Sequence, residues 1–197
     1  MRAAFTACAA LVLFGLGAFG ADAAPSAVTP PAVESAATAG ATAKRLRKVP
    51  PPNFPMAPSP KCEVLDNYGD PRSGGRSHQG VDIIATLGQE IYAMADGTLT
   101  TQTIAGAPNA TLSGNLWRLT AATDGTIFVY GHLSGFAPGL TKGSVVYKGQ
   151  VLGYVGDTGN PGPGNYHLHF EIHPRGGNPV DPLPLLRPVP AACKVYG

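Results

Sequence analysis

Charge is scarce in this chain. Lys, Arg, Asp and Glu make up 13% of its 197 residues, and the formal net charge is only +2. A whole-chain balance this close to neutral does not point to nucleic acid or an anionic membrane as a partner. Helical periodicity is also nearly absent. Few windows repeat apolar residues every three to four positions, and 26 glycines and 20 prolines work against long helices. After residue 19 no stretch is long and apolar enough to cross a bilayer. Histidine is rare, with five in all. What remains is a chain with 44% apolar residues, enough for a real core, which reads as a turn-rich, all-β protein.

The first 23 residues read as a cleaved secretory leader. Met1-Arg2 gives a positive start, Ala3 to Phe19 an apolar run, and Ala21-Asp22-Ala23 the small residues before a cut. Residues 24–60 are rich in Ala, Pro, Thr and Ser without apolar periodicity, the composition of a flexible linker. The linker carries Lys44, Arg45, Arg47 and Lys48, read as a solvated charge run. Residues 61–197 form the expected domain, with nine Lys+Arg against ten Asp+Glu, a formal −1. The expectation is an exported monomer, in the periplasm or outside the cell, with no stable membrane insertion once the leader is removed. Cys8 leaves with the leader, so Cys62 and Cys193 remain. An even count in an oxidising compartment suggests a disulfide that staples the domain's ends, with two free thiols as the alternative.

Within the domain, short strands alternate with glycine turns. Expected strands are 81–84, 90–95, 98–104, 116–121, 126–130, 145–147, 151–155 and 167–173. Asp96-Gly97 and Asp124-Gly125 both read as hairpin signals between neighbouring strands. Pro179, Pro182 and Pro184 imply an extended tail.

Four of the five histidines fall in three contexts. His78 and Asp82 are spaced by four, but Gly80 and the apolar residues after it favour a turn running into a strand. His132 follows Tyr130-Gly131 at a strand end. In His167-Leu168-His169-Phe170-Glu171-Ile172-His173 the alternation is strict, so the histidines and Glu171 share one strand face and the apolar residues the other. Two imidazoles at i and i+2 can converge on one small site. His173 lies too far along the strand from His167 to join it.

Together these contexts resemble the signature of the lysostaphin-like (LytM-type) zinc endopeptidases of peptidase family M23: His-x-x-x-Asp, then Tyr-x-His, then His-x-His. Gly75 to Asp82, Ala93 to Gly97 and the glycine-rich run from Lys142 to Gly159 resemble that family as well, so the likeness spans about residues 65–186. It implies a single domain, a mainly antiparallel sheet with glycine-rich loops around a zinc groove. It implies one Zn2+ held by His78, Asp82 and His169, with His132 and His167 as the catalytic pair. Glu171 receives no role from it. The implied activity is hydrolysis of peptide bonds in the stem or cross-link peptides of bacterial peptidoglycan. The rival reading is a non-enzymatic wall-binding relative that activates peptidoglycan amidases.

Overall fold

The apolar-polar alternation and the glycine turns place twelve strands among the described residues. A computed structural model describes residues 54–197, and the proposed leader, the basic cluster and the rest of residues 1–53 lie outside the described residues. The strands are β1 (Glu63–Leu65), β2 (Pro71–Arg72), β3 (Arg76–Ser77), β4 (Val81–Ile84), β5 (Glu90–Tyr92), β6 (Gly97–Thr103), β7 (Asn115–Ala121), β8 (Ile127–Phe136), β9 (Val145–Val146), β10 (Val151–Val155), β11 (His167–His173) and β12 (Lys194–Tyr196). A single turn of helix, α1 (Leu183–Leu186), lies in the proline-rich tail.

Ten strands join one sheet in the order β12-β1-β4-β11-β8-β7-β6-β9, with β10 pairing β5 and β8, while β2 and β3 form a separate ribbon. All pairings are antiparallel except β1 with β12. The fold is therefore all-β. Leu168, Phe170 and Ile172 of β11 turn inward with Trp117, Tyr130 and Leu133, and each is essentially excluded from solvent. Each such side chain contributes about 1.5–3 kcal/mol. Trp117 and Tyr130 also satisfy their polar groups: Trp117 Nε1 donates to the Leu152 carbonyl at 3.0 Å, and the Tyr130 hydroxyl accepts from Met94 N at 2.9 Å.

Three sequence expectations change here. The domain begins before residue 61. Phe54 and Met56 are buried, Tyr92 N donates to the Pro55 carbonyl at 2.7 Å, and Met56 bridges Ile91. Two large apolar side chains among prolines supply burial that the segment's average composition hides. Asp124-Gly125 does close a hairpin, with β7 pairing β8 and Gly125 at φ 73°. Asp96-Gly97 does not, because β5 pairs β10 and β6 pairs β7 and β9. Gly97 serves close packing instead, since a Cβ there would collide with the Thr120 carbonyl. The strands β1 and β12 were not expected at all. They form a parallel edge pair at the two ends of the domain, beside a bond between Cys62 and Cys193 whose Cα atoms are 4.6 Å apart.

Candidate metal centre

Strand register brings the site together. β11 lies between β4 and β8, with His169 opposite Asp82 on one side and Gly131 on the other. His78 arrives on the turn before β4, anchored by its backbone N–H to the Asp70 carbonyl at 2.8 Å. Gly80, between His78 and Asp82, sits where a Cβ would overlap the Phe170 carbonyl, so only glycine lets this turn press against β11. His132 marks a corner in β8: residues 127–131 pair with β11, whereas 133–136 pair with β10. At that corner His132 takes φ 64°, a left-handed conformation that costs a non-glycine residue about 1–3 kcal/mol.

Three side-chain atoms converge. His78 Nε2 lies 2.8 Å from His169 Nδ1, and Asp82 Oδ1 lies 3.1 Å from each of those nitrogens. Every other polar atom of these side chains is already committed. His78 Nδ1–H donates to the Asn67 carbonyl at 2.8 Å. Asp82 Oδ2 accepts from Asn67 Nδ2 and from Arg72 Nη2, both at 2.9 Å. His169 Nε2–H donates to Glu171 Oε1 at 2.8 Å. These three residues are the one group of His, Cys, Asp or Glu with metal-holding geometry among the described residues. Two imidazoles and a carboxylate are a donor set suited to a borderline divalent metal.

Beside this cluster the rings of His132 and His167 lie 4.7 Å apart, and His167 Nε2 is 3.7 Å from Asp82 Oδ1. Each has its tautomer set by a carbonyl: His132 Nδ1–H donates to Thr158 O and His167 Nδ1–H to Asn165 O, both at 2.9 Å. Their Nε2 atoms are thereby left as acceptors.

The local fields differ across the site. Burial pulls His132 down to about 4, and the neighbouring His167 adds to the shift. His167 is lowered as well, again chiefly by burial. Both imidazoles are neutral at pH 7. For His169 burial acts downward too, but bonds to Asp82 and Glu171 outweigh it and raise the group to about 9. Burial opposes the charge on Asp82, yet the bonds from His169 and His78 hold it well below the usual carboxylate range. An NMR pH titration of the His132 ring is expected to show a midpoint near 4. A midpoint at or above 6.5 would contradict burial as the dominant influence. The sign for stability follows. The folded value lies below the unfolded one, so this group's contribution is complete above about pH 6.5 and is lost as pH falls through about 4.

All five residues singled out from the sequence thus meet at one place. Three further participants received no role from the sequence: Asn67, Arg72 and Glu171, the last placed on the site face but left without a function. Glu171 is buried, bonded through Oε1 to His169 and through Oε2 to His173 Nε2 at 2.7 Å. Its position on the same strand face as His169 was the available signal. Burial opposes its charge, but its bonds to His169 and His173 lower it. Glu171→Gln is expected to weaken metal binding by about 10–100-fold, as loss of such an orienting partner does. Competition with a chromogenic chelator measures this, and an unchanged affinity would remove Glu171 from the site.

The model of Peptidase family M23 matches residues 76–182, which include all five residues. The L-Ala–D-Glu endopeptidase of Bacillus subtilis is 30% identical over 145 residues, 68% of this chain and 42% of that protein. The DD-carboxypeptidase/endopeptidase Mpg of Neisseria meningitidis is 36% identical over 118 residues, 58% of this chain and 24% of that protein. The chain therefore spans less than half the length of these relatives. Among solved structures, the catalytic domain of the antimicrobial peptidase lysostaphin from Staphylococcus simulans superposes with a TM-score of 0.53 at 27% identity, covering 63% of this chain and 91% of that one.

Proposed function

The chain belongs to peptidase family M23, and from that premise we propose that it is a zinc-dependent endopeptidase hydrolysing peptide bonds in the stem or cross-link peptides of bacterial peptidoglycan. The observation that carries this reading is the convergence of His78 Nε2, Asp82 Oδ1 and His169 Nδ1 at 2.8–3.1 Å. Zinc bonds of about 2.0–2.1 Å in a tetrahedral site put ligand atoms about 3.3 Å apart, so these three atoms fit one ion. Three protein ligands leave a fourth position for water, the arrangement of a catalytic rather than a structural zinc. Zinc bound there would polarise the scissile carbonyl and bring the pKa of a water toward about 7.

The chain's own residues supply the proton work. His132 and His167 are buried and neutral, with Nε2 available as an acceptor beside the metal cluster. One Nε2 takes the proton of the attacking water. Protonated, it becomes a donor to the leaving amine, and an Nε2–H in this pair can also bond the developing oxyanion. Arg72 and Asn67 hold Asp82 oriented through Oδ2, so that Oδ1 faces the cluster. Peptidoglycan lies outside the cytoplasmic membrane, in keeping with residues 1–23 as a leader and with a bond between Cys62 and Cys193.

Incubating the full chain with purified cross-linked peptidoglycan and resolving the products by mass spectrometry tests the reading. Expected are new peptide ends whose release stops with a chelator and resumes when zinc is restored. A folded chain that binds no zinc and releases nothing would support the amidase-activating role instead.

A further inference from the structure

Both histidines assigned to proton transfer hydrogen-bond to one turn, Gly156–Gly159, His132 through its ring and His167 through its backbone. We propose that Thr158 is the positioning residue of that turn: its hydroxyl fixes the carbonyl that holds His132 in a single tautomer. This rests on the reading of His132 and His167 given above. Thr158 O accepts the His132 Nδ1–H at 2.9 Å, and Gly156 O accepts the His167 backbone N–H at 3.2 Å.

The Thr158 side chain is held on both sides. Its Oγ1 donates to the Leu133 carbonyl at 2.8 Å and accepts from the Asn115 backbone N–H at 2.9 Å. Leu133 is the residue after His132, so one hydroxyl ties the strained corner of β8, the start of β7 and the turn itself. Asn115 Nδ2 adds a second bond to Leu133 O at 2.9 Å, and His132 N donates to Ser113 O at 2.9 Å. The clasp leaves no room for further side chains. A Cβ at Gly114 would collide with Thr158, one at Gly159 with Leu112 O and Gly114 N, and one at Gly156 with Ser134 N.

An apolar side chain of the same shape at 158 would leave the Asn115 N–H without its acceptor and free the 158 carbonyl to turn. The His132 ring would then sample the tautomer with its proton on Nε2, which cannot accept one from water. The metal ligands belong to β4, β11 and the turn before β4, outside this clasp. The expected signature is therefore a defect in turnover, with metal and substrate binding retained.

The test uses the full chain loaded with zinc. Thr158→Val is expected to lower kcat by about 10–100-fold with KM within about twofold, the cost of a slightly misplaced proton-transfer group. Zinc stoichiometry should not change, and Thr158→Ser should recover kcat to within about threefold of the native chain. A second readout needs no activity. Long-range 1H–15N spectra of the five histidine rings should show His132 as one Nδ1–H tautomer in the native chain and in Thr158→Ser, and as an average of two in Thr158→Val. Native kcat and native His132 shifts in Thr158→Val would overturn the inference, as would a Ser variant no better than the Val variant. Should Thr158→Val not fold, Thr158→Ser against Thr158→Ala makes the same comparison, because only the hydroxyl differs. If the native chain cleaves no peptidoglycan, the proposed function fails, while the His132 shifts still decide what Thr158 does.

Discussion

His169→Ala is expected to remove bound zinc and to lower peptide hydrolysis by at least about 10³-fold, the scale of several kcal/mol of Lewis-acid stabilisation. His169 sits at the centre of the cluster, touching His78 and Asp82 through Nδ1 and Glu171 through Nε2. Its loss strips one of three ligands and takes a hydrogen-bond partner from each of the buried carboxylates Asp82 and Glu171, so the unfolding temperature should be followed alongside. His132→Ala provides the contrast. It should keep zinc at one equivalent and still lose about 10²–10⁴-fold in kcat, the typical contribution of a positioned acid–base group. Metal analysis beside kinetics separates the two variants. Retained zinc and activity in His169→Ala would refute the ligand assignment, and full activity in His132→Ala would refute the proton-transfer assignment.

Reducing the bond between Cys62 and Cys193, or replacing both by Ser, is expected to cost about 2–5 kcal/mol, roughly 5–20 °C in Tm for a domain of this size. The two residues are separated by 131 positions, so the bond closes nearly the whole domain into one loop. Without it the edge of the sheet has little to hold it. β1 and β12 are three residues each, they pair in parallel, and every residue of β12 is exposed. β1 in turn pairs with β4, the strand that carries Asp82. The loss should therefore appear first in stability, with activity per folded molecule preserved at low temperature. Thermal unfolding with and without reductant measures it. A Tm that moves by less than about 2 °C would mean the ends are held by packing alone.

Much of this protein was legible in its sequence, and the reason is local. Which face of a strand a side chain occupies depends only on the alternation of its own backbone. Leu168, Phe170 and Ile172 against His167, His169 and Glu171 therefore announced both a core face and a site face before any partner was known. Gly125, at φ 73°, similarly marked a turn whose conformation follows from the residue itself. The five site residues came from the resemblance those patterns supported.

What only the tertiary structure decided involves groups distant in the chain. His78 meets His169 across 91 residues, and which nitrogen of each ring faces the other depends on carbonyls and carboxylates that no spacing reveals. Asn67 and Arg72 reach Asp82 because the ribbon of β2 and β3 folds beside the turn before β4, and Thr158 reaches His132 across a bend in β8. The pairing of β5 with β10 in place of β6 was set in the same way. Asp96-Gly97 permits a hairpin, but β6 instead joins β7 and β9, where Gly97 presses against β7. Local chemistry determined which residues could form the site. Long-range register and close backbone packing determined which atoms of those residues face one another, because those atoms are positioned by segments that the local chain does not contain.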